Sequence, residues 1–186
     1  MQVFQPAGAP DVIAQKLRRV VGALQWTALA YLLWVLWDIL KPLRDPSPVL
    51  NWLGKLAHRP LSDVNAWQWG AYLLVDMLNW ALMALAVAYC WRAMNEIKQV
   101  NGRGPLASRL LLIGAWLALA TEVASISARP LKSYIMTCCD AGAAPLVHWF
   151  LHPQDLLATL LCLCLLSLAH VFSWKVYLTE ENKGFI

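Results

Sequence analysis

Charged residues are scarce in this chain of 186 residues. Only 14% of the residues are Asp, Glu, Lys or Arg, and 60% are hydrophobic, whereas about one quarter of the residues of a soluble domain are charged. A water-soluble core of this size cannot bury so much apolar surface. The composition therefore excludes an ordinary soluble domain and predicts an integral membrane protein.

Motifs for catalysis and for nucleic-acid binding are also missing. The sequence contains no GxGxxG, GxxxxGK[ST] or GxSxG pattern, which are the common signatures of nucleotide sites and hydrolase nucleophiles. Its five cysteines show neither CxxC nor zinc-finger spacing. The basic residues are spread over the connections rather than gathered in a patch. We therefore predict a protein that is not an enzyme, holds no cofactor and does not bind nucleic acid directly.

Four apolar runs are long enough to cross a bilayer. They lie at roughly residues 20–40, 68–91, 106–128 and 154–173, about 20 residues each, which is the length that a hydrocarbon core of ~30 Å requires. The predicted fold is an all-α membrane protein with four transmembrane helices. The helices form two hairpins of a four-helix bundle, in a single domain over residues 1–186. Residues 1–10 are predicted as a flexible tail, and Asp11 as the start of an amphipathic lead-in helix.

Orientation follows from the basic residues. Nine of the 15 Lys and Arg residues lie on the side that holds both termini and the connection between spans two and three. Basic residues are enriched in cytoplasmic loops, so both termini are predicted to be cytoplasmic. The two outer connections have about 25 residues each. Apolar residues at 49, 50, 53, 56 and 57 in the first, and at 146, 147, 149 and 150 in the second, predict a short interfacial helix in each.

A short sequence echo links the two halves. Lys41-Pro42-Leu43-Arg44 follows the first span, and Arg129-Pro130-Leu131-Lys132 follows the third. One interpretation is a parallel pseudo-repeat of two helical hairpins, an arrangement known among membrane proteins. The other is coincidence, because proline ends helices and basic residues flank spans in any membrane protein.

Polar residues inside the spans are the strongest candidates for a site. The predicted intramembrane polar site consists of Asp38, Asp76, Asn79, Glu122 and Ser125. All three acids fall in the outer half of the membrane, and each of the other two residues lies three positions after an acid, on the same helix face. Such groups either form a proton or cation site or hold helices together by hydrogen bonds. The spacing of Gly114, Ala118 and Glu122 by four favours helix packing.

The second outer connection contains weak metal candidates. His148 and His152 would share one face of a helix, and Cys138, Cys139 and Asp140 precede them. These residue types bind zinc or copper. The spacing is loose, and no glutamate gives the HExxH pattern, so no metal is predicted.

Two stretches resemble a known family. Residues 90–117 read CWRAMNEIKQVNGRGPLASRLLLIGAWL, and residues 168–186 read LAHVFSWKVYLTEENKGFI. They resemble the bacterial domain-of-unknown-function 2975 family in its Gly-containing break, its Ile-Gly opening of the third span and its closing Glu-Glu-Asn…Phe-Ile. The resemblance implies four spans in a bacterial inner (plasma) membrane, long outer loops, and a gene often beside that of a helix-turn-helix regulator. The family offers no catalytic residues. This chain departs from it at Gly104-Pro105-Leu106, where an aromatic residue is common.

These observations lead to three functional hypotheses. The first, which rests on the resemblance, is a non-enzymatic regulatory or accessory protein that acts through a cytoplasmic partner such as the helix-turn-helix regulator. The second is a small proton- or cation-coupled transporter that uses Asp76 and Glu122 and, with only four spans, requires a homodimer. The third is an immunity protein against a membrane-acting toxin.

Overall fold

A computed structural model of the chain describes residues 9–58, 64–99, 105–139 and 144–183. Among these residues there are helices and connections but no strand. The helices are α1 (Ala9–Leu40), which continues into a 3-10 turn (Lys41–Leu43), α2 (Ser47–Ala57), α3 (Ala66–Gln99), α4 (Pro105–Thr137) and α5 (Pro153–Lys183).

The four long helices confirm the predicted spans. The segments long and apolar enough to cross a membrane are Arg18–Leu43, Ala66–Lys98, Leu106–Thr137 and Pro153–Lys175. The helices that contain them have 31 to 34 residues and are therefore about 46–51 Å long, longer than a hydrocarbon core of ~30 Å. The helices extend beyond the predicted spans because hydropathy marks the apolar part of a helix, and a helix continues through polar residues.

Two predicted helix boundaries are wrong. Among the described residues, helix α1 already includes Ala9 and Pro10, so it starts before Asp11. The predicted tail otherwise lies outside the described residues. Helix α4 does not end before Pro130 but includes it. The last turns of α4 are held from outside, since the buried Gln68 side chain donates to the carbonyl oxygens of Ile135 (2.9 Å) and Met136 (3.3 Å).

The long helices pack in chain order. The most extensive pair is α3 with α4, while α1 packs on α3 and α5 on α4. Among the described residues, α1 and α5 each pack extensively on one long neighbour, so the four long helices form a row. Neighbours in the row run antiparallel. One end of the row, here called the loop end, carries α2 and residues 144–152. The opposite end, the tail end, holds the start of α1 and the ends of α3 and α5.

Polar groups attach α1 to α3. The buried Gln25 donates to Asn95 Oδ1 (2.9 Å) and accepts from Lys98 Nζ (2.7 Å) near the tail end. Further along, the indole N–H of Trp80 donates to the carbonyl oxygen of Leu32 (3.1 Å). The hydrogen bonds of the buried Gln25 amide and of the Trp80 indole therefore hold α1 against α3.

Helix α2 lies where the first short interfacial helix was predicted, and it packs on the ends of α3 and α4. Leu53 is 1% exposed and contacts Met136 of α4, which is 2% exposed. The half-buried apolar residues around them are Val49, Leu50, Val64, Trp69 and Tyr72. Before α2, Asp45 accepts hydrogen bonds from the hydroxyl and backbone N–H of Ser47, and these bonds lower the pKa of Asp45. Helix α2 ends at His58, which adopts a left-handed conformation with φ 52°.

Small residues let α3 and α4 approach closely. A Cβ atom added to Gly114 would lie 2.7 Å from Cys90 Sγ and 3.3 Å from the Cys90 backbone nitrogen. Ala86 and Ala93 of α3 and Ala115 of α4 are buried along the same pair. In lipid, close packing of this kind is a main source of helix association.

We expect Gly114→Ala to weaken this interface by about 1–2 kcal/mol, the usual cost of overpacking. Unfolding in mixed detergent–SDS micelles measures the change. Cys90→Ala in the same chain should recover part of the loss, because it removes the atom nearest to the new methyl group. Gly70→Ala is the matched control, since nothing lies within 4 Å of its added Cβ. Equal stability of the Gly114 and Gly70 variants would contradict the prediction.

Candidate functional site

A bidentate ion pair joins α4 to α5 at the loop end. Arg129 Nη1 lies 2.5 Å from Asp155 Oδ2, and Nη2 lies 2.6 Å from Oδ1. The Asp155 side chain is 8% exposed and that of Arg129 is 30% exposed. Two parallel N–H···O bonds of this kind are among the strongest polar contacts in proteins. Arg129 Nη1 also donates to the Phe150 carbonyl oxygen (2.9 Å).

Asp155 also caps the first turn of α5. It is the third residue of the helix, and its carboxylate accepts the backbone N–H of His152, at the N-cap, at 2.7 Å. Gln68 occupies the same position in α3 and accepts the N–H of Asn65 at 2.8 Å. Each contact is the reciprocal half of a capping box. In both helices, the capping side chain bonds to α4 as well, so the cap and the helix–helix contact share one residue.

A second ion pair joins α4 to α3. Lys132 Nζ lies 2.7 Å and 2.9 Å from the two carboxylate oxygens of Asp76, and both side chains are 21% exposed. The ammonium group also lies 4.3 Å from the ring centroid of Tyr72, a distance at which a cation is attracted to the ring face. Arg129 and Lys132 thus connect α4 to its two neighbours from positions three residues apart on one helix.

Residues 144–152, here called the connecting segment, run along the end of α4 without forming a helix. Three α4 side chains spaced by four bond to alternate backbone groups of this segment. The contacts are Arg129 Nη1 with Phe150 O (2.9 Å), Ser133 Oγ with His148 N (3.1 Å) and Thr137 Oγ with Leu146 N (2.8 Å). An α-helix advances about 6.0 Å in four residues and an extended chain about 6.6 Å in two. The two spacings match closely enough for this ladder of three contacts.

We expect Thr137→Val to lower the free energy of unfolding by about 1 kcal/mol, because the Leu146 N–H loses its acceptor while the side-chain shape is kept. Thermal unfolding in detergent, together with amide hydrogen exchange at Leu146, measures both effects. Thr27→Val is the control, because within the described part of the chain the Thr27 hydroxyl donates to the Ala23 carbonyl oxygen of its own helix (2.9 Å) and makes no hydrogen bond with another helix. Unchanged exchange at Leu146 would refute the ladder contact.

A groove of about 350 Å³ opens between α2, α4 and the connecting segment. Its lining residues are Trp52, Leu56, Arg129, Ser133, His148, Phe150 and His152. Of these, His148, Phe150 and His152 stand at every second position, as side chains on one side of an extended chain do. The His148 and Phe150 rings stack at 6.0 Å, and Phe150 meets His152 edge-to-face at 4.5 Å. The groove has the size and the largely apolar wall of a small-molecule site.

The structure does not unite the predicted intramembrane residues in one site. Asp76 bonds to Lys132, and Asp38 forms an exposed pair with Lys41 (2.7 Å). Glu122 is half-buried and accepts no hydrogen bond within the described chain. It lies close enough to Asp155 and Arg129 to interact with them electrostatically, near the contact between α4 and α5. Asn79 is half-buried with its Oδ1 lacking a partner among the described residues. Ser125 is half-buried and joins none of these contacts.

The second predicted interfacial helix is wrong for the described residues of that connection. The backbone groups that a helix would use bond instead to Ser133, Thr137 and Arg129, and Pro145 disfavours helical geometry at the residue before it. His148 and His152 therefore do not share a helix face, because Phe150 stands between them. Among the described residues, no three His, Cys, Asp or Glu side chains gather in a way that would hold a metal ion. Asp140 lies outside the described part of the chain.

Of the residues that organise the loop end, the predicted site included Asp76 but not its partner. The residues that the sequence did not single out as site residues are Gln68, Arg129, Lys132, Ser133, Thr137 and Asp155. One signal was available, since an acid or amide three residues into a helix predicts a cap. The acidic partners of Arg129 and Lys132 depend on which helices are neighbours in the row. The spacing of residues in the sequence does not reveal that order.

The fold defines an all-helical, multi-pass membrane protein, and the ion pairs described above between its long helices lie at the loop end. No family model, curated protein or solved structure matches the chain.

Proposed function

We propose that the chain is a non-enzymatic regulatory or accessory protein of a bacterial inner membrane, in which the groove at the loop end binds a ligand and the tail end contacts a cytoplasmic protein. The basic-residue distribution supports cytoplasmic termini. The resemblance to the domain-of-unknown-function 2975 family supports a helix-turn-helix regulator as the partner.

One observation carries this proposal. Arg129 lines the groove and also holds the first turn of α5 through Asp155. Helix α5 is continuous from Pro153 to Lys183, eight residues beyond the end of its candidate span at Lys175, or about 12 Å further. A ligand that changes the Arg129 contact would alter the docking of a helix that reaches the opposite end. A ligand that discriminates between two such arrangements shifts their populations.

The proposed architecture is two hairpins, α1 with α3 and α4 with α5, related by a pseudo-repeat, with α2 at the membrane interface. The matching caps of α3 and α5 support the pseudo-repeat. Gln68 and Asp155 each lie at the third position of the second helix of a hairpin. The base-Pro-Leu-base echo gives weaker support, since its first copy forms a turn after α1 and its second copy lies within α4.

Pull-down of cytoplasmic proteins by the detergent-solubilised chain tests the partner, for which a helix-turn-helix regulator is the expected protein. We expect the full chain in detergent to retain it, and a chain ending at Thr179 to lose it, because the projecting end of α5 is removed. Trp149→Ala at the loop end is the control and should retain the partner. If the full chain and the truncated chain both fail to retain it, the proposed function is wrong.

The geometry favours helix packing over ion transport for the buried acids. Asp76 already bonds to Lys132, and Glu122 lies near the contact between α4 and α5. We therefore expect proteoliposomes with Asp76→Asn or Glu122→Gln to show the same proton flux as the unchanged protein, measured with a pH-sensitive dye inside the vesicles. Flux that is lost in both variants would favour the transporter hypothesis, including the homodimer that it requires.

A further inference from the structure

We propose that the groove at the loop end binds a small aromatic carboxylate, with its acid group at Arg129. This inference names the ligand class for the sensing site and rests on the proposed function for its physiological role. It depends on the charge of the groove wall, the donors left on Arg129 and the rings that line the groove.

The charge of the groove wall favours an anion. Among the described residues that line the groove, Arg129 is the one permanently charged side chain and none is an acid. The nearest carboxylate, Asp155, is 8% exposed and accepts two N–H groups from Arg129 and one from the His152 backbone. Its acceptor positions face these donors rather than a ligand. The Asp155 carboxylate balances the charge of Arg129, so the guanidinium would bind a ligand carboxylate through charge-assisted N–H···O bonds.

Arg129 retains hydrogen-bonding capacity. A guanidinium has five N–H donors in a fixed plane. Two on Nη1 and one on Nη2 bond to Asp155 and to the Phe150 carbonyl oxygen. The other two have no hydrogen-bond partner among the described residues. These two donors allow the guanidinium to bind a ligand carboxylate without first releasing Asp155.

The rest of the wall favours an aromatic body. Trp52, His148, Phe150 and His152 contribute rings, and Leu56 adds an aliphatic side chain. Trp52 is 58% exposed and Phe150 is 49% exposed, so apolar surface remains that a flat ligand would cover. Aromatic rings gain from offset or edge-to-face contacts beyond the burial of area.

Titration calorimetry of the full chain in nanodiscs of zwitterionic lipid tests this inference, with 2-naphthoate as the probe and the neutral 2-naphthamide as its matched analogue. We expect 2-naphthoate to bind at least ten-fold more tightly than the amide. Leu56→Trp, which fills the groove, and Phe150→Ala, which removes a ring from its wall, should each weaken binding at least ten-fold. Trp149→Ala should leave binding unchanged, because Trp149 does not line the groove.

Equal binding of acid and amide, no binding of either, or full binding by both groove variants would overturn the inference. So would displacement of 2-naphthoate when the nanodiscs contain anionic phosphatidylglycerol, since the groove would then be a lipid site. Using Leu56→Trp together with Phe150→Ala guards against a folding defect in one of them. Binding is measured without any partner, so the two proposals can fail separately. A chain that binds 2-naphthoate but retains no regulator upholds this inference and contradicts the proposed function. A chain that retains the regulator but does not bind 2-naphthoate contradicts this inference and upholds the proposed function.

Discussion

Replacing Arg129 by methionine should lower the free energy of unfolding by about 3 kcal/mol. The substitution leaves the Asp155 carboxylate without its cationic partner in a site where that side chain is 8% exposed. Breaking one side of a buried pair costs about 3–5 kcal/mol, because the remaining charge is neither solvated nor paired. We take the lower end of that range because Arg129 itself is 30% exposed. Unfolding in detergent–SDS mixtures, followed by circular dichroism, measures the loss.

Two further variants separate charge from packing. Asp155→Asn, added to Arg129→Met, should recover at least half of the loss, since it removes the unpaired charge and keeps an oxygen that accepts the His152 N–H. Lys41→Met is the matched control, because the Asp38–Lys41 pair has side chains 62% and 59% exposed and such pairs contribute little. A loss for Arg129→Met no greater than that for Lys41→Met would show that the buried pair does not stabilise the loop end.

Lys132→Met should be the second most damaging change, with a loss of about 2–3 kcal/mol. It removes the partner of Asp76 and the cation over the Tyr72 ring, while the methionine keeps most of the apolar stem. Asp76→Leu in the same chain should recover most of the stability, because a buried pair replaced by apolar residues is often neutral. The same unfolding measurement applies. If the double variant is less stable than Lys132→Met alone, Asp76 has a role that its pairing with Lys132 does not explain.

The two ion pairs make α4 the element on which the loop end depends. Arg129 holds α5 and Lys132 holds α3, and both lie within one turn of Pro130. Proline removes the hydrogen bond to the carbonyl of Ile126 and disfavours a helix interior by about 3 kcal/mol. The contacts of Gln68, Lys132 and Arg129 around this turn offset that cost. Changes at these residues should therefore loosen the helix after Pro130 as well as the contacts themselves.

The sequence predicted the elements of the fold well and the contacts between them poorly. Apolar runs of about 20 residues identified four spans, and the spacing of Leu50 and Leu53 identified α2. Hydropathy and residue spacing depend on neighbouring positions in the chain, so a single sequence is enough to predict these elements. Pairing is not local, because Asp76 meets a base 56 residues away and Asp155 a base 26 residues away. Spacing places each residue on a helix face, but the neighbour of that face depends on the packing order of the helices.

The connecting segment shows the same limit in another form. Its apolar residues at 146, 147, 149 and 150 fit a helix as well as an extended chain. The deciding factor is a set of hydroxyl groups on α4, since Ser133 and Thr137 take up the N–H groups that a helix would need. Hydroxyl groups on a helix surface usually bond to their own backbone, so the sequence alone did not single them out.

The ladder between α4 and the connecting segment limits how its length can change. Four helical residues and two extended residues differ by about 0.6 Å in advance, so the mismatch over two intervals is about 1.2 Å. One more interval would bring the offset near 2 Å, more than a hydrogen bond tolerates. Inserting one residue between Leu146 and Phe150 would also reverse which side chains face the groove. Related chains that keep this site should therefore vary in length before Leu146 and hold the spacing from Leu146 to Asp155 constant.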